Sequence, residues 1–250
     1  MAIPIKNEAE IKAMREGGKI LANLLEEIKL RAKAGISTYE LDEFAEKFIK
    51  KHNAIPGFKG YQGFPATLCT MINEEVVHGI PNKDAYLKEG DIFSVDCGVF
   101  HEGLYTDAAR SMAIGKVSKE KERMIETGKK ALSEAIWAAQ PGERVNKIGE
   151  VIEKEVRKAG FRIIKDLTGH GVGRNIHEEP TILNYKANTQ DQILEPGMTL
   201  AIEPIFSIGT EKIIEMPDKW TLVTADKSPA VQEENTILIT QKNNEILTCI

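Results

Sequence analysis

Apolar residues recur every three or four positions near the start of the chain. Ile11, Met14, Leu21, Leu25 and Ile28 would line one helical face, and Asn7 with Glu10 three residues later makes a capping pair. A helix is therefore predicted to about Ala32, ended by Ala34-Gly35. Ser37 and Glu40 repeat the cap before Leu41, Phe44, Phe48 and Ile49, which predicts a second amphipathic helix closed near His52. Residues 54 to 65 carry Pro56, Gly57, Gly60, Gly63 and Pro65 among Phe58, Tyr61 and Phe64, the composition of an aromatic loop. That loop reads equally as a satellite apolar cluster or as the wall of a substrate pocket.

Asp91 to Phe100 and Leu104 to Ile114 flank the turn His101-Glu102-Gly103 and predict a hairpin. Ser118 opens a helix to Gln140, stopped by Pro141-Gly142, and Val145, Ile148, Ile152 and Val156 mark another that ends at Gly160. The last ninety residues differ: short apolar runs (Leu194 to Phe206, Lys212 to Glu215, Thr221 to Val223, Asn235 to Thr240) predict strands of a curved antiparallel sheet. A helix pair with a hairpin, followed by a helix pair with strands, suggests two similar halves.

A chain of 250 residues that is 42% apolar and 28% charged can bury a large core, and one catalytic domain spanning residues 1–250 is expected. The net charge of −5 argues against a nucleic-acid substrate, which calls for clustered Lys and Arg. Cys69, Cys97 and Cys249 are odd in number and far apart, so neither a disulfide framework nor a thiolate metal cage is expected. No apolar run approaches the roughly 20 residues that span a bilayer, and no signal-peptide core is seen. A cytoplasmic protein is expected.

The informative charges stand in apolar strands: Asp96 within Phe93-Ser94-Val95-Asp96-Cys97, Glu203 within Leu200-Ala201-Ile202-Glu203-Pro204-Ile205, and Glu234 just before Thr236-Ile237-Leu238. A buried carboxylate without a partner costs several kcal/mol or takes up a proton, so each needs a cation. The surrounding sequence offers few basic candidates, Arg110 and Arg174 foremost, too few for the task, whereas bound metal would serve several carboxylates together. Asp96 and Asp107 lie on opposite arms of the hairpin, and an even-length loop would set them opposite each other on one face, about 5 Å apart. The competing reading has Asp107 capping a bulge and Asp96 paired with a lone Arg.

His170 occurs in what reads as a glycine-rich turn, Thr168-Gly169-His170-Gly171-Val172-Gly173, and His78 ends an apolar strand before Gly79. Singly, each is more often structural than functional. With four carboxylates in strands they match an oxygen-rich site containing one imidazole, which suits Mn, Fe, Co or Zn. His170 and His177 are too far apart for a helical His-Glu-x-x-His zinc site, and no Gly-x-Ser-x-Gly elbow or phosphate-binding loop is present. Cys69, in an apolar run, reads as a packed small residue rather than a nucleophile.

Taken in order, Gly60-Tyr61-Gln62-Gly63-Phe64-Pro65, Ile72 to Pro81, Asp91 to Gly98, Thr106-Asp107-Ala108-Ala109, Gly169 to Arg174, His177-Glu178-Glu179-Pro180, Ile202-Glu203-Pro204 and Glu234-Asn235-Thr236 closely resemble the type I methionine aminopeptidases. The resemblance covers nearly the whole chain. It implies the α+β pita-bread fold, a curved antiparallel sheet covered by two pairs of helices in pseudo-twofold halves. It also implies two divalent ions per chain (Co, Fe, Mn or Zn), one held by Asp96 and the other by His170 and Glu203, with Asp107 and Glu234 bridging.

The implied reaction is removal of the N-terminal initiator methionine before a small second residue, by attack of a metal-bridging hydroxide on the first peptide bond. Glu203 would relay protons, His177 would steady the oxyanion, and His78 would contact the scissile amide. Phe58, Tyr61, Phe64, Cys69, Ile176 and Trp220 would form the methionine pocket; Ile176 stands where the family often has Phe. Only 25 residues separate His177 from Glu203, which leaves no room for the type II helical insertion. The implied partner is the N-terminal Met of nascent polypeptides, with the ribosome as a candidate docking partner and a monomer as the expected state. Met1 precedes the small Ala2, so the chain's own N-terminus is a candidate substrate.

Overall fold

The computed structural model describes residues 3–187 and 192–250; the candidate cleavage point at Met1-Ala2 lies outside the described residues. Four helices form where the spacing predicts them: α1 (Glu8–Arg31), α2 (Thr38–Lys51), α3 (Lys119–Ala138) and α4 (Val145–Lys158). Both capping boxes are made. The Asn7 side chain accepts from the Ala9 and Glu10 amides while Glu10 returns a bond to the Asn7 amide, and Ser37 and Glu40 do the same for α2. Each cap satisfies amides that the first helical turn leaves bare.

The central hairpin pairs Ile92–His101 with Leu104–Ala113 through a two-residue turn. Glu102 (φ 48°) and Gly103 (φ 87°) both have positive φ, as in a type I′ turn, whose twist matches that of the strands. The register sets Asp96 opposite Ala109 and Asp107 opposite Gly98. The two aspartates share a face, as the even loop required, but they are diagonal neighbours rather than directly opposed. The turn begins one residue later than a His101-Glu102-Gly103 turn would.

Ile92–His101 also pairs with Leu68–Ile72 and with the short strand Ile55–Pro56, making the four-stranded sheet of the first half. The largest sheet of the second half is five-stranded, in the order Asn244–Ile246, Asn235–Ile239, Thr199–Ile202, Thr168–Gly171, Glu178–Leu183. Two features differ from the prediction. The run Leu194 to Phe206 is not one strand: it starts at Thr199 and is interrupted at Glu203-Pro204 before Ile205–Ser207, because proline has no amide to give the ladder. The glycine-rich segment around His170 is a strand with a bulge at His170/Gly171, not a turn. Its glycines admit close neighbours, since a Cβ on Gly169 would lie 2.5 Å from the Ala201 carbonyl and one on Gly171 would lie 2.1 Å from that of Glu179.

Each half has its own core. Leu21, Leu25, Ile28, Leu41 and Ile49 of α1 and α2 pack on Leu68, Phe93, Val95 and Val99, while Leu132, Ile148, Ile152 and Val156 of α3 and α4 pack on Ile182, Leu200, Ile202 and Ile237. Two helix pairs covering antiparallel sheets in two halves form the pita-bread arrangement. The halves are stitched between Leu104–Ala113 and the segment entering Asn235–Ile239. Glu234 N donates to Ala109 O, and Thr236 Oγ1 accepts from Asp107 N and donates to Asp107 O. Arg110 adds bonds to Glu234 O, Asn235 Oδ1 and Thr248 O.

Candidate metal centre

That seam gathers donors from both halves. Asp96 and Asp107 come from the hairpin, His170 from the bulged strand, Glu203 from the proline break, and Glu234 from the residue before the last long strand. All four carboxylates are buried. Ligand atoms of Asp107, His170 and Glu234 lie within 4.8 Å of one another, and His170 Nε2 is 3.5 Å from Glu203 Oε1. The Gln232 side-chain amide reaches Asp96 Oδ2 (3.4 Å) and Glu203 Oε2 (3.3 Å), tying the remaining two into the same cluster. All five residues selected from the sequence therefore meet at one place.

Their surroundings call for positive charge. Burial holds Asp107, Glu203 and Glu234 well above the ordinary carboxylate range, neighbouring carboxylates push them further, and burial raises Asp96 to about 7. Asp96 Oδ1, Asp107 Oδ1 and Glu234 Oε1 are buried without a hydrogen-bond partner. The two nearby arginines do not supply the cation: Arg110 spends its donors on carbonyls and Asn235, and Arg174 on Glu10 and the Ile5 carbonyl. His170 Nδ1 lies 2.9 Å from Gly171 O, which can only accept, so Nδ1 carries the proton and the Nε2 lone pair faces the carboxylates. Burial also lowers the imidazole to about 4, keeping it neutral. Four oxygen donors, one neutral imidazole and orphaned carboxylate oxygens fit divalent cations.

The cluster opens into a cavity of about 660 Å³. Phe58, Tyr61, Phe64, Cys69, Ile176 and Trp220 line it together with His78 and His177. Phe64, Cys69 and Met71 also form a small apolar cluster with Phe58 and Trp220, so the satellite cluster and the pocket wall are one feature. Phe64 meets Trp220 edge-on at 5.1 Å, and Trp220 in turn meets the His78 ring at 6.4 Å. His78 has a left-handed backbone (φ 58°), a costly conformation outside glycine that turns its side chain into the cavity. The His177 ring sits 4.4 Å from that of His170, with Nδ1 3.1 Å from the Tyr61 hydroxyl. Burial lowers both His78 and His177 below their ordinary value.

Gln232, which spans the two groups of carboxylates, is absent from the sequence reading. Its signal was available: an amide ending the buried apolar strand Ala230–Gln232, two residues before Glu234.

Similarity to known proteins follows the same lines. The model of metallopeptidase family M24 matches residues 12–241. The methionine aminopeptidase of Clostridium acetobutylicum is 46% identical over 98% of each chain. The crystal structure of the methionine aminopeptidase of Thermotoga maritima superposes with a TM-score of 0.98 at 39% identity, covering 100% of both chains. A prolidase from Pyrococcus furiosus, 22% identical and covered over 65% of its length, shares the fold with a TM-score of 0.76.

Proposed function

The chain belongs to metallopeptidase family M24, and from that premise we propose that it is a type I methionine aminopeptidase, removing the initiator Met of nascent polypeptides when the second residue is small. It is a metal-dependent hydrolase. The observation that carries the assignment is the convergence of Asp96, Asp107, His170, Glu203 and Glu234 on orphaned oxygens at the floor of an aromatic cavity. In this reading Asp96, Asp107, His170, Glu203 and Glu234 would together hold two divalent ions, with Co, Fe, Mn and Zn all suited to the donors. Such ions would supply a water acidified toward neutral pH and a polarised carbonyl.

The protein's own groups divide the remaining work. Glu203 moves the proton between the attacking water and the departing amine. His177, whose imidazole desolvation shifts toward the neutral form, donates to the carbonyl oxygen; a Tyr61 hydroxyl donating to Nδ1 leaves the ring proton on Nε2 for that purpose. Gln62 donates in turn to the Tyr61 oxygen, which agrees with that direction. His78, turned into the cavity by its backbone, contacts the scissile amide. Phe58, Tyr61, Phe64, Cys69, Ile176 and Trp220 hold the methionine side chain, a flexible thioether suited to aromatic walls, and exclude water around it. The reading treats residues 1–250 as one catalytic domain, active as a monomer in the cytoplasm and meeting its substrates as they emerge from the ribosome. No helix is long and apolar enough to cross a membrane, among the described residues.

The test is competitive hydrolysis by protein loaded anaerobically with Fe(II), Mn(II), Co(II) or Zn(II). Met-Ala-Ser should release methionine faster than an Ala-Pro peptide is cleaved. The reverse preference would make the protein a proline-specific peptidase of the same fold. A remetallated sample that binds fewer than two ions and cleaves neither peptide would make it a non-catalytic binding protein.

A further inference from the structure

The chain's first described residues lie against the active-site cavity. Pro4 lines the cavity, and Lys6 is anchored by its amide to Gly197 O at 2.9 Å. The Lys6 ammonium then reaches inward to Glu178 Oε2, 2.5 Å away, with the two side chains only 1% and 2% exposed. Glu178 is the residue after His177. Its other carboxylate oxygen accepts from the Asn175 amide at 2.9 Å, so one carboxylate clamps both the loop before His177 and the first described segment of the chain.

The lysine runs close against the loop. A Cβ on Gly173 would fall 2.2 Å from Lys6 Cε, so the bare glycine backbone is what lets the side chain pass here. Arg174 braces the same junction from outside, with Glu10 held at 2.6 and 2.9 Å and the Ile5 carbonyl at 3.3 Å. Residues 174–177 form no helix or strand, so the direction of the His177 ring depends on what fixes each end of this loop. At its start Gly173 O accepts from the Tyr105 amide at 2.7 Å. At its end stands Glu178, whose charge Lys6 neutralises.

We propose that Lys6 is a positioning residue for His177: by pairing with the buried Glu178 carboxylate it sets the orientation of the adjoining imidazole over the metal cluster. The claim rests on the reading in which His177 donates to the scissile carbonyl. The Lys6 side chain lies in the shell behind His177 rather than on the substrate, so its removal should act on turnover through His177 and leave the metal ligands in place.

A double-mutant cycle on the full-length, Mn(II)-loaded protein tests it, with kcat and KM measured on Met-Ala-Ser. Lys6→Met should lower kcat roughly tenfold to a hundredfold, with a much smaller change in KM and unchanged metal content. In the His177→Ala background the same substitution should cause no further loss, because the group it positions is gone. Equal proportional losses in both backgrounds, or an unchanged kcat for Lys6→Met, would overturn the proposal. Full turnover by His177→Ala alone would instead refute the role given to that histidine.

Leaving Glu178 charged and unpaired threatens folding, so a second variant removes both charges. Lys6→Met/Glu178→Gln should melt as a folded protein yet keep the low kcat. Wild-type kcat in the double variant would mean that the pair only balances its own charge, and the proposal would fall.

Discussion

Single side chains in this protein are separable by what they leave behind when removed. His177 touches the cavity but not the carboxylates, so His177→Ala should cut kcat by about two to four orders of magnitude while metal analysis still finds the wild-type content. Glu203 belongs to the cluster itself, and Glu203→Ala should lose turnover and metal together. Equal metal loss in both variants would show that His177 is a ligand. Glu75 offers a prediction outside the site. Burial raises its carboxyl from 4.5 to about 7, against the pull of the Ile72 amide it accepts. Between those values the unfolded chain releases a proton that the folded chain keeps, so the contribution to stability is complete below pH 4.5 and is lost as pH rises through about 7. Glu75→Gln should flatten that part of the stability profile in denaturant titrations, and an unchanged slope from pH 4.5 to 7 would contradict the burial.

Among elements, the bulged strand Thr168–Gly171 shows why local pattern stops short of the site. Two glycines in four residues carry neither helical nor alternating periodicity, and the segment is a strand only because Glu178–Leu183 and Thr199–Ile202 pair with its two edges. The second of these partners lies too far along the chain for local spacing to reveal. The helices were legible because their caps and apolar faces are local, and the hairpin because its turn is short. The carboxylates were legible as charges out of place in Phe93-Ser94-Val95-Asp96 and Leu200-Ala201-Ile202-Glu203, but their convergence is a property of the seam, and Lys6 had no such local oddity to mark it as the partner of a distant acid. Gly171→Ala tests the strand's packing. The added methyl meets the Glu179 carbonyl at 2.1 Å, which should destabilise the fold by about 1–3 kcal/mol and weaken metal binding through the displaced His170. Wild-type melting and metal affinity would show that the bulge accommodates a side chain.

For the molecule as a whole, the buried carboxylates set a cost that the two apolar cores must carry until cations arrive. A ligand bound only by the folded state adds RT ln(1 + [L]/Kd), about 4 kcal/mol at a thousandfold excess over Kd. For a chain of this length that corresponds to a melting shift on the order of 10 °C. Chelation of the loaded protein should lower the melting temperature by that amount and readdition of Mn(II) should restore it; a melting point indifferent to chelator would mean the cluster does not bind metal in the folded state. The division of the donors has one more consequence. Asp96 and Asp107 belong to the amino-terminal half, while His170, Glu203 and Glu234 belong to the carboxy-terminal half, and they meet across the Glu234–Ala109 and Thr236–Asp107 bonds. Neither portion of the polypeptide, severed from the other, owns a full coordination set, so the centre works as a keystone: a relative shift of the two lobes would register first as lost occupancy, before any helix unwinds.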